Sequence, residues 1–167
     1  MYERIYQMRD HGRSTSGEIV SWGLNSRLDN LQAAFLDLQL KKYDGVMRRR
    51  RQIAALYTER LNGLDEIVLP PAPDSDPDHF DIYQNYEIEA ERRDELKIYL
   101  KERGIGTLIQ WGGQAVHQLK ALGFTQNLPS TDRLFSRMLM IPMNISLSDD
   151  EVHYVCDTIQ GFYGYSK

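Results

Sequence analysis

Apolar residues recur at helical spacing over two long stretches of the chain. Leu31, Ala34, Phe35 and Leu38 form one stripe, and Val46, Ala54, Tyr57 and Leu61 extend it. Together they predict one long helix from Asn30 to Leu61. Asp29 stands before it as an N-cap, its carboxylate able to accept the free amide hydrogens of the first turn. Some 30 residues at 1.5 Å rise would span roughly 45 Å, longer than a small domain is wide. Gly45 marks a place for a bend or break. A helix of that length needs a second domain or a second subunit to cover it. Before it, Ile5 and Met8 share a face and predict a short helix over Tyr2 to Arg9. Arg13 to Gly17, with Ser14, Thr15 and Ser16, reads as a polar loop.

Beyond Leu61 the period changes. Ile67 to Leu69 and Ile82 to Glu89 read as strands, the second with Ile82, Tyr86 and Ile88 on one face. Between them lies an acidic surface loop holding Pro70, Pro71, Pro73 and Pro77, four of the six prolines. Glu91 to Arg103 reads as a helix with Leu96, Tyr99 and Leu100 inward and Gly104 as its stop. Ile105 to Gln110 is expected as a strand that turns out through Trp111-Gly112-Gly113 into a loop carrying His117. A helix from Thr131 to Met140 is expected to bury Leu134, Phe135, Met138 and Leu139. Ile141-Pro142-Met143 would be a short extended crossing. Ser148 and Glu151 make a capping box for a last helix, with Val152, Val155, Cys156 and Ile159 as its apolar stripe. The order predicts an α+β fold: a small mixed or antiparallel sheet, covered by helices on one side and preceded by a long helix.

The 167 residues suit a single domain, and 41% hydrophobic with 26% charged residues is ordinary for a globular chain. A net charge of −4 argues against nucleic acid as a main partner. Cys156 is the only cysteine, so no intrachain disulfide forms, and a reducing cytoplasm fits. The N-terminus lacks the apolar run of a signal peptide, and no stretch reaches the ~20 apolar residues of a membrane helix. No repeat at solenoid spacing is present.

Several candidate sites give way to plainer readings. His11, His79, His117 and His153 are scattered, with no ligand spacing between them, so no metal is expected; His79 and His153 read as surface residues. Arg48-Arg49-Arg50-Arg51 point around the whole helix axis at ~100° intervals, so they cannot converge on one anion and read as a solvated segment. Gly104-Ile105-Gly106 lies between a helix and a strand, the reverse of a phosphate loop. No Gly-x-Ser-x-Gly elbow occurs. A Schiff-base lysine must sit in a dry pocket. Lys41, Lys42, Lys97 and Lys101 fall on exposed helix faces, Lys120 reads as a surface residue and Lys167 is terminal.

The most informative segment is Gly23-Leu24-Asn25-Ser26-Arg27-Leu28-Asp29-Asn30-Leu31-Gln32-Ala33-Ala34. A glycine-led turn presents Asn25 and Arg27 and runs straight into a helix. On residues alone it is a turn that caps the helix, with Arg27 free to pair with Asp29 or Glu18. With Met8-Arg9-Asp10-His11-Gly12-Arg13, the arginine run through Tyr57, Gly104-Ile105-Gly106-Thr107, Ala115-Val116-His117-Gln118, Leu128-Pro129 through Leu134, Ile141-Pro142-Met143 and Leu147 through Val152, it resembles the C-terminal region of the DegT/DnrJ/EryC1/StrS sugar aminotransferases. The resemblance runs over nearly the whole chain, in order. Leu24 departs from it, standing where that family often has an aromatic residue.

That resemblance implies the C-terminal domain of a fold-type I enzyme dependent on pyridoxal phosphate (PLP). Such enzymes move an amino group, usually from glutamate, to a keto group of a nucleotide-linked sugar, and they work as dimers with interfacial active sites. It implies Asn25 as a ligand of the PLP phosphate of the neighbouring subunit. Arg27, Gln110, Trp111 and His117 would then lie on the substrate side. Residues 1–29 would be an N-terminal segment with the active-site turn, and residues 30–167 the C-terminal domain, a single structural domain overall. The lysine-bearing cofactor domain would precede Met1. The chain alone is then expected to be inactive and to hold no PLP stably. A homodimer, or association with a cofactor-domain half, would complete it, with no nucleic-acid or membrane partner. Two other readings stand beside this one: an interaction module that kept the fold and lost the chemistry, and an unrelated α+β domain.

Overall fold

A computed structural model describes residues 1–165; Lys167, one of the lysines weighed above, lies outside the described residues. The chain divides into two compact units, Met1–Asp44 and a second that begins at Gly45.

In the first unit, α1 (Tyr2–Arg9) and α2 (Asn30–Leu40) flank a looped segment. The loop is held by the main chain. His11 N–H donates to the Leu24 carbonyl at 2.9 Å, Leu24 N–H to Met8 at 2.7 Å, and Ser26 N–H to Arg9 at 2.8 Å. Isolated bridges join Asp10 to Asn25 and Arg13 to Ile19. Two glycines allow this approach. A Cβ on Gly12 would lie 1.6 Å from the Ser21 carbonyl oxygen, and one on Gly23 would lie 2.2 Å from the Gly12 nitrogen. Asp29 caps α2 as expected, accepting from Gln32 N–H at 2.8 Å. Gly12 is the one buried residue among the described residues of this unit.

The helical span expected over Asn30–Leu61 is present but divided. α3 starts at Tyr43 and ends at Leu61. The break falls at Lys41 and Lys42, where the ladder tightens: Lys42 N–H donates to Gln39, three residues back, at 3.0 Å. Gly45, where the bend was expected, lies inside α3.

The second unit is built on a three-stranded antiparallel sheet, β1 (Ile67–Val68), β2 (Tyr86–Ala90) and β3 (Met138–Ile141), in the order β1-β2-β3. Tyr86 faces Ile141 and Ile88 faces Leu139, so these four side chains share one side. They join one core with Ile53, Tyr57 and Leu61 of α3, Leu96 and Leu100 of α4 (Arg93–Glu102), and Val152, Cys156 and Ile159 of α6 (Asp149–Tyr163). β2 alternates buried Tyr86, Ile88 and Ala90 with half-buried Glu87 and Glu89, the pattern of a sheet covered on one face. The Ser148–Glu151 capping box opens α6, with Glu151 N–H donating to Ser148 Oγ at 3.2 Å and Ser148 N–H to the Glu151 carboxylate at 2.8 Å.

Several expected boundaries move. β2 begins at Tyr86 and not Ile82, because Tyr83 adopts φ +50° and its N–H is taken by the Asp81 carboxylate at 2.7 Å. The expected strand over Ile105–Gln110 reduces to one bridge, Leu108 to Met140. The helix expected over Thr131–Met140 is α5 (Pro129–Arg137), with proline at its first turn, and Met138 and Leu139 are buried from β3 instead. Leu134 stays exposed. The arginines diverge, as their spacing predicts, but three are anchored and not solvated. Arg49 binds the Asp149 carboxylate and the Leu147 carbonyl. Arg50 donates to the Tyr83 and Gln84 carbonyls at 2.9 and 2.6 Å. Arg51 reaches Asp81 and Asp74 and lies over the Phe80 ring. They tie α3 to the loop before β2 and to the segment after β3.

Candidate functional site

Asn25 and Arg27 sit on the exposed turn of the first unit. Arg27 Nε donates to Asn25 Oδ1 at 3.1 Å, and its Nη1 lies 3.6 Å from Asp10 Oδ1. Neither Asp29 nor Glu18 is the partner. Asp10 is brought there by the bridge that sets it opposite Asn25. With the amide oxygen occupied by Arg27, the two N–H bonds of the Asn25 side chain remain as donors. An open concavity lined by Asn25, Arg27, Leu28, Asp29 and Asn30 lies beside them. The start of capped α2 contributes a positive helix end to the same place.

Gln110, Trp111 and His117 belong to the second unit, on one loop that lies against β3. Gln110–Gly113 forms a 3₁₀ turn in which Trp111 (φ 51°), Gly112 (φ 64°) and Gly113 (φ 78°) are all left-handed. Two glycines make that run accessible; Trp111 itself bears the strain and stands 82% exposed. Gln110 is half-buried. His117 is turned inward, its side chain 10% exposed, with Nε2 2.8 Å from Asp132 Oδ1 on α5. Gln118 Nε2 donates to the same oxygen, and Gln118 Oε1 accepts from Ala115 N–H at 2.9 Å.

The first unit thus sets an amide and a guanidinium side by side, hydrogen-bond donors of the kind an anion accepts from. The second carries an exposed aromatic face at Trp111 and a half-buried amide at Gln110, with the His117 imidazole turned inward on the same loop. The residues fit one end of PLP. Asn25 and Arg27 suit its phosphate. A Schiff base needs a dry lysine, and Lys41, Lys42, Lys101 and Lys120 are exposed and Lys97 half-buried. No group of three His, Cys, Asp or Glu side chains among the described residues could hold a metal. His79 pairs with Asp76 at 2.6 Å in the proline-rich loop, and His153 Nδ1 lies 3.0 Å from Arg60 on a half-buried face. No described helix is long and apolar enough to cross a membrane.

Asp10, Gln118 and Asp132 were missed as site residues. Asp10 lies in the Met8–Arg13 segment, Gln118 in Ala115–Gln118 and Asp132 in Leu128–Leu134, all quoted for the resemblance. No local pattern pairs Asp10 with Arg27, or Asp132 with His117 and Gln118, since these contacts are 14 to 17 positions apart in the chain.

Comparisons with known proteins give the family and the fold. A model of the DegT/DnrJ/EryC1/StrS aminotransferase family matches residues 1–160. The dTDP-3-amino-3,6-dideoxy-α-D-galactopyranose transaminase of Aneurinibacillus thermoaerophilus is 32% identical over 165 residues, 98% of this chain and 44% of that protein. The crystal structure of DesV from S. venezuelae, in complex with a ketimine intermediate, superposes with a TM-score of 0.87 at 30% identity. It matches 99% of this chain and 45% of that one. A DegT DnrJ EryC1 StrS aminotransferase from Brucella abortus gives 0.83 at 32% identity, over 96% of this chain and 43% of that one. The chain therefore spans less than half the length of these relatives.

Proposed function

This chain belongs to the DegT/DnrJ/EryC1/StrS aminotransferase family, and we propose that it forms the C-terminal portion of a PLP-dependent nucleotide-sugar aminotransferase. The reaction is amino transfer from an amino acid such as glutamate to a keto sugar. The observation that carries this reading is the exposed Asn25 amide, its oxygen engaged by Arg27 and its N–H bonds left to donate. The transaminase activity in the name of the Aneurinibacillus relative supports the substrate class.

In this proposal residues 1–29 are the active-site segment and residues 30–167 the C-terminal domain. When bound, PLP supplies the electron sink that amino transfer requires. The residues of this chain bind and orient. Asn25 donates to the phosphate of a neighbouring subunit's cofactor. Arg27 holds Asn25 and offers its remaining guanidinium hydrogens to an anionic substrate group. Gln110, Trp111 and His117 line the sugar-nucleotide side, Trp111 by stacking and His117 by hydrogen bonding. The chain works as a dimer or with a lysine-bearing half, in the cytoplasm, and is inactive by itself.

The test is reconstitution with that half. Losing one hydrogen bond to a charged group costs about 1.5–3 kcal/mol, so Asn25→Ala should weaken PLP retention by roughly one to two powers of ten. Arg27→Ala should weaken substrate binding more than cofactor binding. Both variants should melt within a degree or two of the parent, since the turn is exposed. Unchanged affinities with a lowered melting temperature would reduce the turn to a helix cap and overturn the assignment.

A further inference from the structure

We infer that Asp132 is a positioning residue that sets the Gln110–Gln118 loop through His117 and Gln118. The inference rests on the reading of that loop as substrate-facing.

One carboxylate oxygen collects both contacts. Asp132 Oδ1 takes His117 Nε2 at 2.8 Å and Gln118 Nε2 at 2.5 Å. A carboxylate can only accept, so the His117 nitrogen facing it must carry the hydrogen. In the neutral ring Nδ1 is then the acceptor. Gln118 passes the constraint on: its Oε1 accepts from Ala115 N–H at 2.9 Å, and Ala115 is buried. Among the described residues, the other hydrogen bonds of this stretch are short-range. Gln114 N–H donates to Trp111, Gln118 N–H to Ala115, and Leu119 N–H to Val116. Such turns shape the loop without fixing it to anything else.

Asp132 is itself well held. It lies in the first turn of α5, two residues after the Pro129-Ser130 start, where a carboxylate faces the positive end of the helix. Asp132 N–H donates to the Leu128 carbonyl at 2.9 Å. α5 packs on β2, so the anchor is tied to the sheet. The loop carries the strained, exposed Trp111, and Asp132 links it to the rigid part of the unit.

The experiment uses the whole chain and three variants. In the parent, nuclear magnetic resonance should show a His117 Hε2 signal shielded from water exchange, with protected amides at Gln118 and Leu119. Asp132→Leu should remove that signal and speed exchange at those amides by about tenfold or more, the effect of losing one such bond. Amides of β2 and α6 should stay as they were. Asp132→Asn keeps an oxygen acceptor at the same place and should restore the imidazole signal. If Asp132→Leu fails to fold, Gln118→Leu decides: it leaves Asp132 and α5 intact and should mobilise Ala115 and Trp111. An unchanged His117 signal and unchanged loop exchange in the folded variants would overturn the inference. So would loss of protection through α5 and the sheet together, which would make Asp132 a general structural residue. These readouts need no cofactor. If they hold while the reconstituted enzyme transfers no amino group, the proposed function fails and the positioning role stands.

Discussion

Two helices of this chain start alike and end differently. α2 and α6 both open on a side-chain cap, Asp29 in one and Ser148 in the other, and both carry an apolar stripe. In α6, Val152, Val155, Cys156 and Ile159 are buried. In α2, Leu31 is 70%, Phe35 60% and Leu38 51% exposed. The contrast extends to the units around them. The second is held by side chains packed into one core. The first is held by main-chain hydrogen bonds between the Met8–Arg13 segment and the Gly23–Ser26 turn, with two glycines in close approach. Local chemistry is enough to shape a turn and start a helix. Only a partner surface can bury the stripe that the helix displays.

Substitutions should separate the two regimes. The largest effect belongs to the second unit: Leu100→Ala should lower the unfolding free energy by about 2–5 kcal/mol, the cost of a core cavity, as read from urea denaturation. Phe35→Ala, an equal or larger truncation, should change it by less than about 0.5 kcal/mol. Equal losses at both positions would break the comparison.

Phe35 should matter elsewhere. Phe35→Ser should weaken self-association, or association with a cofactor-domain half, by about tenfold or more, as expected for a buried aromatic in an interface. Sedimentation equilibrium reads this directly. Exposed patches of this kind are where partners bind, so an unaltered association constant would remove α2 from the interface.

The second unit also has a pH signature. Burial pushes the Tyr86 hydroxyl up to about 12, from an ordinary value of 10.0, although its bond with Thr58 pulls the other way. Burial likewise raises Tyr57, whose hydroxyl donates to the Pro142 carbonyl. A raised value means the folded state favours the neutral phenol. That stabilisation is complete below the unfolded value near 10 and is lost as pH rises toward 12. Alkaline melting should therefore be steep in that window, and Tyr86→Phe should flatten it. A profile unaltered by Tyr86→Phe would discard the cause.

The smallest effect is expected at Glu87. Burial raises its carboxyl, and Glu87 Oε1 makes no hydrogen bond among the described residues. The folded state favours the protonated form, so stability from this group is present at acid pH and falls as pH rises through the folded value. Glu87→Gln should raise the melting temperature slightly at pH 7 and not at pH 4. A lowered melting temperature at pH 7 would reveal a stabilising role for the charge.

What could be read from the sequence follows the same division between local and distant causes. The Asp29 cap, the Ser148–Glu151 box and the Gly104 stop were legible because every partner lies within a few residues. Met138-Leu139-Met140-Ile141 was not: four consecutive apolar residues have no period, so only pairing with β2 decides that they extend the sheet and not α5. The anchoring of Arg49, Arg50 and Arg51 was hidden for a related reason, since their acceptors lie between 23 and 100 positions away. At the candidate site, Asn25, Arg27 and His117 were singled out, while Asp10 and Asp132, which hold them, were visible only once the chain was folded. The turn itself was conspicuous because glycine and asparagine in sequence imply a tight bend.

Hydrogen exchange compares the two units most directly. In the chain alone, amides of α6 and β2 should exchange only with global unfolding, and those of α2 about a hundredfold faster or more. Adding the partner half should slow α2 and the Gly23–Ser26 turn while leaving α6 where it was. Equal protection of α2 and α6 in the chain alone would contradict the account, because it would make the first unit complete without a partner.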